Sequence, residues 1–142
     1  QRCPPLDTNS SYCNILQCSH FANTSVIAEQ ESSVLGFISG YSVPDRPDTL
    51  FIWQVAVSNE ARGMGLASRM LANIVARPAC NEISFLGTTI TADNSASWAL
   101  FEALARKMNT VCSSSDWLDK DKHFEGSHDS ELLVRIGPFT QE

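Results

Sequence analysis

The stretch LFIWQVAVSNEARGMGLASRMLANIVARP, residues 50–78, decides the fold. Leu50 to Val57 is an apolar run of strand length, interrupted only by Gln54. The run breaks at Ser58-Asn59, and Arg62, Gly63 and Gly65 lead into Leu66, Ala67, Met70, Leu71, Ile74 and Val75. Those apolar residues repeat at the 3.6-residue helical period, and Pro78 ends the pattern. Strand, glycine-rich turn and helix N-terminus in that order suit an anion. The first helical amides lack intrahelical partners, the helix dipole favours negative charge, and glycine removes the Cβ that would block close approach. Taken alone, the turn reads first as an ordinary strand–helix connection with glycines at positive φ, since such turns are common.

Outward from this stretch, strands and helices alternate. Residues 9–21 (NSSYCNILQCSHF) read as a short helix capped by Asn9 or Ser10, with Ile15, Leu16 and Cys18 as its apolar side. Thr24–Gln30 and Val34–Tyr41 read as an antiparallel hairpin through Glu31-Ser32-Ser33. Residues 44–48 (PDRPD) read as a rigid polar loop, because the prolines at 44 and 47 oppose regular pairing. Leu50–Val57, apolar on both faces apart from Gln54, is expected centrally in a sheet. Glu82–Ile90 is a further strand, and Asn94–Met108 a long helix capped by Asp93 or Asn94. Val111 opens a short strand, residues 113–129 look polar and irregular, and Glu131–Gly137 is the last strand. The pattern predicts an α/β (α+β) fold, one central, mostly antiparallel mixed sheet flanked by helices.

Length and composition bound the function. At 142 residues the chain is expected to form one domain, residues 1–142, with one sizeable core. The net charge of −6 and scattered Lys and Arg argue against nucleic acid. No apolar run approaches the roughly 20 residues of a membrane helix, and no secretory signal is evident at the N-terminus. The five cysteines are odd in number and form no close pair, which points to reduced, partly buried thiols rather than disulfides or a zinc site. A nucleophilic role for Cys13 or Cys18 is the lesser reading, His20 being the only His near Cys18 in sequence.

Arg62, Gly65 and Ala67, with Gly63 as an extra glycine, resemble the acetyl-CoA signature of the GNAT N-acetyltransferase superfamily: Arg or Gln, two residues, Gly, one residue, Gly or Ala. Residues 89–104 (TITADNSASWALFEAL) resemble the other half of that site, a strand followed by Asn94, Ala96-Ser97 and a helix carrying Leu100. The resemblance implies a GNAT-type fold that binds acetyl-CoA without a metal. Its diphosphate would lie on the amides of Arg62, Gly63, Met64, Gly65, Leu66 and Ala67, with the Ser68 hydroxyl added. Val55 and Val57 on the strand, and Asn94 and Ser97 at the second helix, would hold the rest of the cofactor, the Asn94 amide taking the pantetheine arm. A backbone N–H near Val55 would polarise the thioester carbonyl. The family often carries a Tyr where this chain has Phe101, and that Tyr protonates the leaving thiolate; here either the thiolate leaves unassisted or another donor serves, and of Tyr12 and Tyr41 the resemblance favours Tyr12. A GNAT domain also begins with a strand and helix ahead of the residues 9–21 helix. Only eight residues precede it here, so the N-terminal strand and helix are expected to be truncated.

Residues 6–13 (LDTNSSYC), 44–57 (PDRPDTLFIWQVAV) and 126–139 (GSHDSELLVRIGPF) lie outside the general GNAT pattern. They resemble the family of L-2,4-diaminobutyrate acetyltransferases of ectoine biosynthesis. That resemblance implies acetyl transfer to the γ-amine of the diamino acid in a bacterial cytoplasm under osmotic stress, by a homodimer. A diamino acid carries two ammonium groups and one carboxylate, so its pocket needs acidic partners. Asp7 and Glu131 are the acidic candidates, Asp45 reading rather as a turn residue. Trp53 offers a cation–π face, and His128 a proton relay. An alkyl amine titrates near 10 by analogy with lysine, so roughly one molecule in a thousand is neutral at pH 7. A base must therefore take its proton, and Glu131 or His128 is the candidate. Direct transfer in a ternary complex is expected, with no acyl-enzyme. The competing readings are a GNAT enzyme for another small amine and a non-catalytic acetyl-CoA-binding domain.

Overall fold

The computed structural model describes residues 8–140. They fall into two compact units, one ending at Ile83 and one beginning at Ser84. The first unit holds helix α1 (Ser11–Cys18), strands β1 (Val26–Gln30), β2 (Ser33–Val43) and β3 (Arg46–Val57), and helix α2 (Leu66–Val75). β2 pairs antiparallel with β1 on one side and with β3 on the other. Glu31 and Ser32 join β1 to β2 at φ +48° and +70°. Left-handed geometry at both central residues gives the turn whose twist matches that of the strands it connects.

The expected loop at residues 44–48 is smaller than the sequence suggests. Val43 pairs with Arg46, so only Pro44 and Asp45 form the turn, and Pro47 lies inside β3. The register then jumps to Ser42 opposite Leu50. Pro47 sits in this irregular step, where a missing N–H costs no ladder bond. A second step has a larger effect. Ser39 faces Gln54 and Gly40 faces Ile52, which leaves Trp53 as the extra residue of a bulge. Ile52, Gln54 and Ala56 are buried around it, while Trp53 faces out, 45% exposed against 6% for Gln54; the strand is not covered on both sides at this position.

Helix α2 buries Leu66, Met70, Leu71, Ile74 and Val75, as its period predicts, and packs on all the strands of this unit. Its approach to β2 depends on Gly36. A Cβ there would lie 2.7 Å from the Ala56 carbonyl oxygen and 3.1 Å from Met70 Cε. The helix ends at Val75, before Pro78. Just beyond, the Arg77 guanidinium donates to the carbonyls of Ala22, Asn23 and Ser25 at 3.1, 3.1 and 2.7 Å, tying this end of α2 to the approach of β1. Helix α1 begins where expected, with Ser10 as its cap, but buries no residue; Ile15 and Cys18 are exposed.

The second unit holds β4 (Phe85–Thr91), α3 (Ser95–Lys107), β5 (Cys112–Leu118), α4 (Lys120–Phe124) and β6 (Glu131–Ile136). β6 pairs antiparallel with both β4 and β5. Leu86, Ile90, Leu104, Val134 and Ile136 are buried, as is Phe101 of α3, 2% exposed. Residues 113–129 are not irregular as expected. They supply most of β5 and all of α4, whose N-cap Asp119 accepts from the amides of Asp121 and Lys122 at 3.0 Å each. The short strand expected at Val111 is β5, and it runs on to Leu118; its extent is not marked in the sequence because its side chains are largely exposed and lack an apolar alternation. β4 starts at Phe85 rather than Glu82.

Replacing Gly36 with Ala drives a Cβ into the Ala56 carbonyl and the Met70 side chain. The expected loss is about 1–3 kcal/mol, read as a lower urea midpoint with an unchanged m-value.

Candidate active site

The turn between β3 and α2 has the geometry an anion requires. Gly63 and Gly65 sit at φ +76° and +68°, and a Cβ on either would meet nothing within 4 Å. The glycines therefore serve the backbone path and leave the space before it open. Gly65 is the N-cap of α2, no side chain caps the helix, and its first turn contains no acidic residue. The amides of Leu66, Ala67 and Ser68 thus remain available at the positive end of the dipole, with exposed Arg62 and Met64 beside them. The Leu66 side chain is core, so only its amide belongs to this cradle. Val55 and Val57 follow the bulge on β3, both half-buried. These residues fit a diphosphate.

In the second unit, Asn94 caps α3 through its oxygen, which accepts the Ser97 N–H at 3.1 Å. The cap consumes the Ser97 amide and leaves the Asn94 NH2 as a donor. Phe101, in the position of the family's Tyr, is buried in the core; no proton can come from it.

His128 and Glu131 are brought together. Imidazole Nδ1 lies 2.7 Å from the Asp129 carbonyl oxygen. A carbonyl only accepts, so Nδ1 carries a proton, and in the neutral form of the ring Nε2 is the acceptor. That nitrogen is 3.7 Å from Glu131 Oε1, too long for a direct hydrogen bond. With the ring neutral, Nε2 and Oε1 are two acceptors facing one point. The Phe124 ring lies against the imidazole, with centroids 4.7 Å apart. Asp119 is held below the usual carboxylate range by the Lys122 and Asp121 amides it caps. Its stabilisation of α4 is present above the ordinary carboxylate range and disappears as pH falls through its lowered value.

The remaining candidates are placed as follows. Tyr12 is on α1, 71% exposed, and Trp53 is the exposed bulge residue of β3. Asp7 lies outside the described residues. Asp45 is an exposed residue of the β2–β3 turn. Tyr41 packs against Phe51 and Phe21, with centroids 5.3 and 6.1 Å away. Cys13, Cys18 and Cys112 are free, and burial pushes the Cys80 and Cys112 thiols up. Among the described residues no group of three or more His, Cys, Asp or Glu side chains could hold a metal, and no helix is long and apolar enough to cross a membrane. Sequence reasoning missed one bond. Asn9 Nδ2 donates to Gln54 Oε1 at 2.7 Å, fastening the residue before the α1 cap to β3. The signal was present: a lone Gln in an apolar strand must find a polar partner.

An uncapped helix behind left-handed glycines makes a strand–turn–helix of the kind that suits a phosphate-bearing group. The sequence model of the Acetyltransferase (GNAT) family matches residues 2–105. The L-2,4-diaminobutyric acid acetyltransferase of Methylotuvimicrobium alcaliphilum is 56% identical over 138 residues, 97% of this chain and 80% of the relative. That of Vibrio parahaemolyticus is 54% identical over 134 residues, 94% of this chain and 74% of the relative. The diaminobutyrate acetyltransferase EctA from Paenibacillus lautus, solved in complex with its substrate L-2,4-diaminobutyric acid and coenzyme A, matches with a TM-score of 0.91 and 37% identity, over 96% of this chain and 83% of that one. The chain belongs to the GNAT acetyltransferase family and, within it, to the L-2,4-diaminobutyric acid acetyltransferases.

Replacing Asn94 with Ala removes the α3 cap. The expected cost is about 0.5–2 kcal/mol, seen as a lower melting temperature before any ligand is added.

Proposed function

We propose that the protein transfers the acetyl group of acetyl-CoA to the γ-amine of L-2,4-diaminobutyrate, giving the N-γ-acetyl product used in ectoine biosynthesis. The observation that carries this is likeness along nearly the whole chain to relatives named for that acetyl transfer, one of them solved with the diamino acid and coenzyme A. The family match runs across residues 2–105, from the first unit into the second, which supports treating residues 1–142 as one acetyltransferase domain.

The α2 amides and the Gly63–Gly65 turn hold the cosubstrate's diphosphate. Asn94 offers its free NH2 to the pantetheine arm, and a backbone amide near Val55 polarises the thioester carbonyl. Glu131 and His128 take the reacting ammonium group. An ammonium nitrogen about 2.8 Å from both Nε2 and Oε1 would give each acceptor a donor. One of the pair then removes a proton, and the freed amine attacks the carbonyl. Tyr12 returns a proton to the departing thiolate, Asp7 balances the second ammonium group, and Trp53 presents its ring face to the cationic substrate. Transfer is direct. A role in making a compatible solute under osmotic stress, a cytoplasmic location and a homodimer complete the reading, supported by the family relationship.

Glu131→Gln keeps the shape and removes the charge; His128→Asn keeps a polar group and removes the titrating ring. Each is expected to lower kcat/KM by about 10²- to 10⁴-fold. The variant that abolishes the rise of kcat/KM with pH identifies the base. Wild-type kcat/KM in both variants would reject the pair. Initial-rate patterns should intersect for acetyl-CoA and diamine; parallel lines with a trapped acetyl-cysteine would mean ping-pong transfer instead.

Gly65→Ala is expected to cost about 1–2 kcal/mol of stability through its left-handed φ. It should also weaken coenzyme A binding at least about tenfold by shifting the first α2 amides, with KM for the diamine little changed. Calorimetry with coenzyme A separates the two effects.

A further inference from the structure

We propose that Phe124 is a positioning residue that holds the His128 imidazole with Nε2 toward Glu131; its consequence for catalysis rests on the reading of His128 as part of the acceptor site. α4 spans only Lys120–Phe124. After it, Glu125 and Gly126 take φ +51° and +77°, and the chain reverses. The returning segment closes on α4 at both ends. Gly126 N–H donates to the Lys120 carbonyl at 2.9 Å, Ser127 N–H to the Phe124 carbonyl at 2.8 Å, and Lys120 N–H to Ser130 Oγ at 2.9 Å. Lys120 Nζ also reaches Asp129 Oδ1 at 3.1 Å, but both side chains are exposed and the pair adds little. Backbone bonds therefore fix the loop and carry the imidazole onto the Phe124 ring, 44° between planes.

That contact does something the hydrogen bonds cannot do alone. The last torsion of a histidine is broad and roughly two-fold, so the ring can turn over. Only one orientation places Nδ1–H on the Asp129 carbonyl and Nε2 opposite Glu131. The flipped ring would present carbon to Glu131 and lose the bond that sets the tautomer. A 180° turn keeps the ring's plane, so the wall at 4.7 Å does not itself choose between the two orientations; it holds the plane in which Nδ1–H is aimed at the Asp129 carbonyl, and that bond makes the choice. Such a pair typically shifts a population by about three- to tenfold.

The test is nitrogen-15 NMR of the histidine rings in the full chain, with His128 assigned by difference against His128→Asn, alongside kinetics. Wild-type His128 should show the Nδ1–H tautomer. Phe124→Leu, which keeps apolar bulk without the ring face, should give a tautomer mixture and lower kcat by about three- to tenfold, with KM for acetyl-CoA unchanged. Phe124→Tyr keeps the ring and should restore both. Phe124→Met makes the same comparison if the Leu variant melts early. Wild-type tautomer signals in Phe124→Leu or Phe124→Met overturn the proposal. A different result isolates the reading beneath it: if Phe124→Leu shifts the tautomer while His128→Asn keeps full kcat/KM, Phe124 positions the ring but His128 is not part of the reaction.

Discussion

The interaction on which the site depends is the packing of α2 on the first unit's sheet, with its N-terminus left bare. The helix buries Leu66, Met70, Leu71, Ile74 and Val75, at roughly 1.5–3 kcal/mol for each large side chain. A missing N-cap costs about 1 kcal/mol. Burial wins by a wide margin, so the core can hold the helix in place while its first amides go unsatisfied. Gly36 sets the depth of this packing, because the Ala56 carbonyl and Met70 leave no room for a Cβ. The arrangement converts apolar burial into a fixed electrostatic feature: aligned amides at a helix N-terminus, held without any acidic side chain in the first turn.

The second unit solves a different problem by different means. Its acceptor pair lies outside the core, on a loop and at the first residue of β6. What holds it is a set of short-range bonds around α4. Asp119 caps the helix through the Asp121 and Lys122 amides, and the chain beyond Gly126 folds back on the same helix. His128 takes its tautomer from a backbone carbonyl, and that single bond decides which nitrogen can accept a proton. The two ends of the proposed reaction are therefore built from unlike materials, backbone amides for the acyl donor and side-chain acceptors for the amine.

Legibility in the sequence follows this division. The α2 period, the glycine turn, the Asn94 cap and the last strand were all readable, because each depends on local propensity or on a period that burial enforces. The misreadings share a cause in pairing register. Pro47 enters β3 because the register steps around it, and a bulge leaves Trp53 as an extra, exposed residue in a strand expected to be covered on both faces. No residue pattern announces either step, since both depend on which residue of β2 lies opposite. The strand expected at Val111 was seen only at its start, since an exposed strand such as β5 needs no apolar alternation. For the candidate site, residue types and spacing pointed to Glu131 and His128, but their convergence and the Phe124 contact depend on a loop path set by left-handed Glu125 and Gly126.

The bulge in β3 bears on both halves of the first unit. The extra residue, Trp53, stays exposed, available to a ligand rather than spent on the core. Its neighbours Ile52, Gln54 and Ala56 are buried. Gln54 is thus held inside, where Asn9 satisfies it and thereby fastens the start of α1. That hydrogen bond holds the helix carrying Tyr12, even though α1 buries no residue of its own. A helix without a buried face needs such a tether to stay in place, and a lone buried Gln in β3 supplies it.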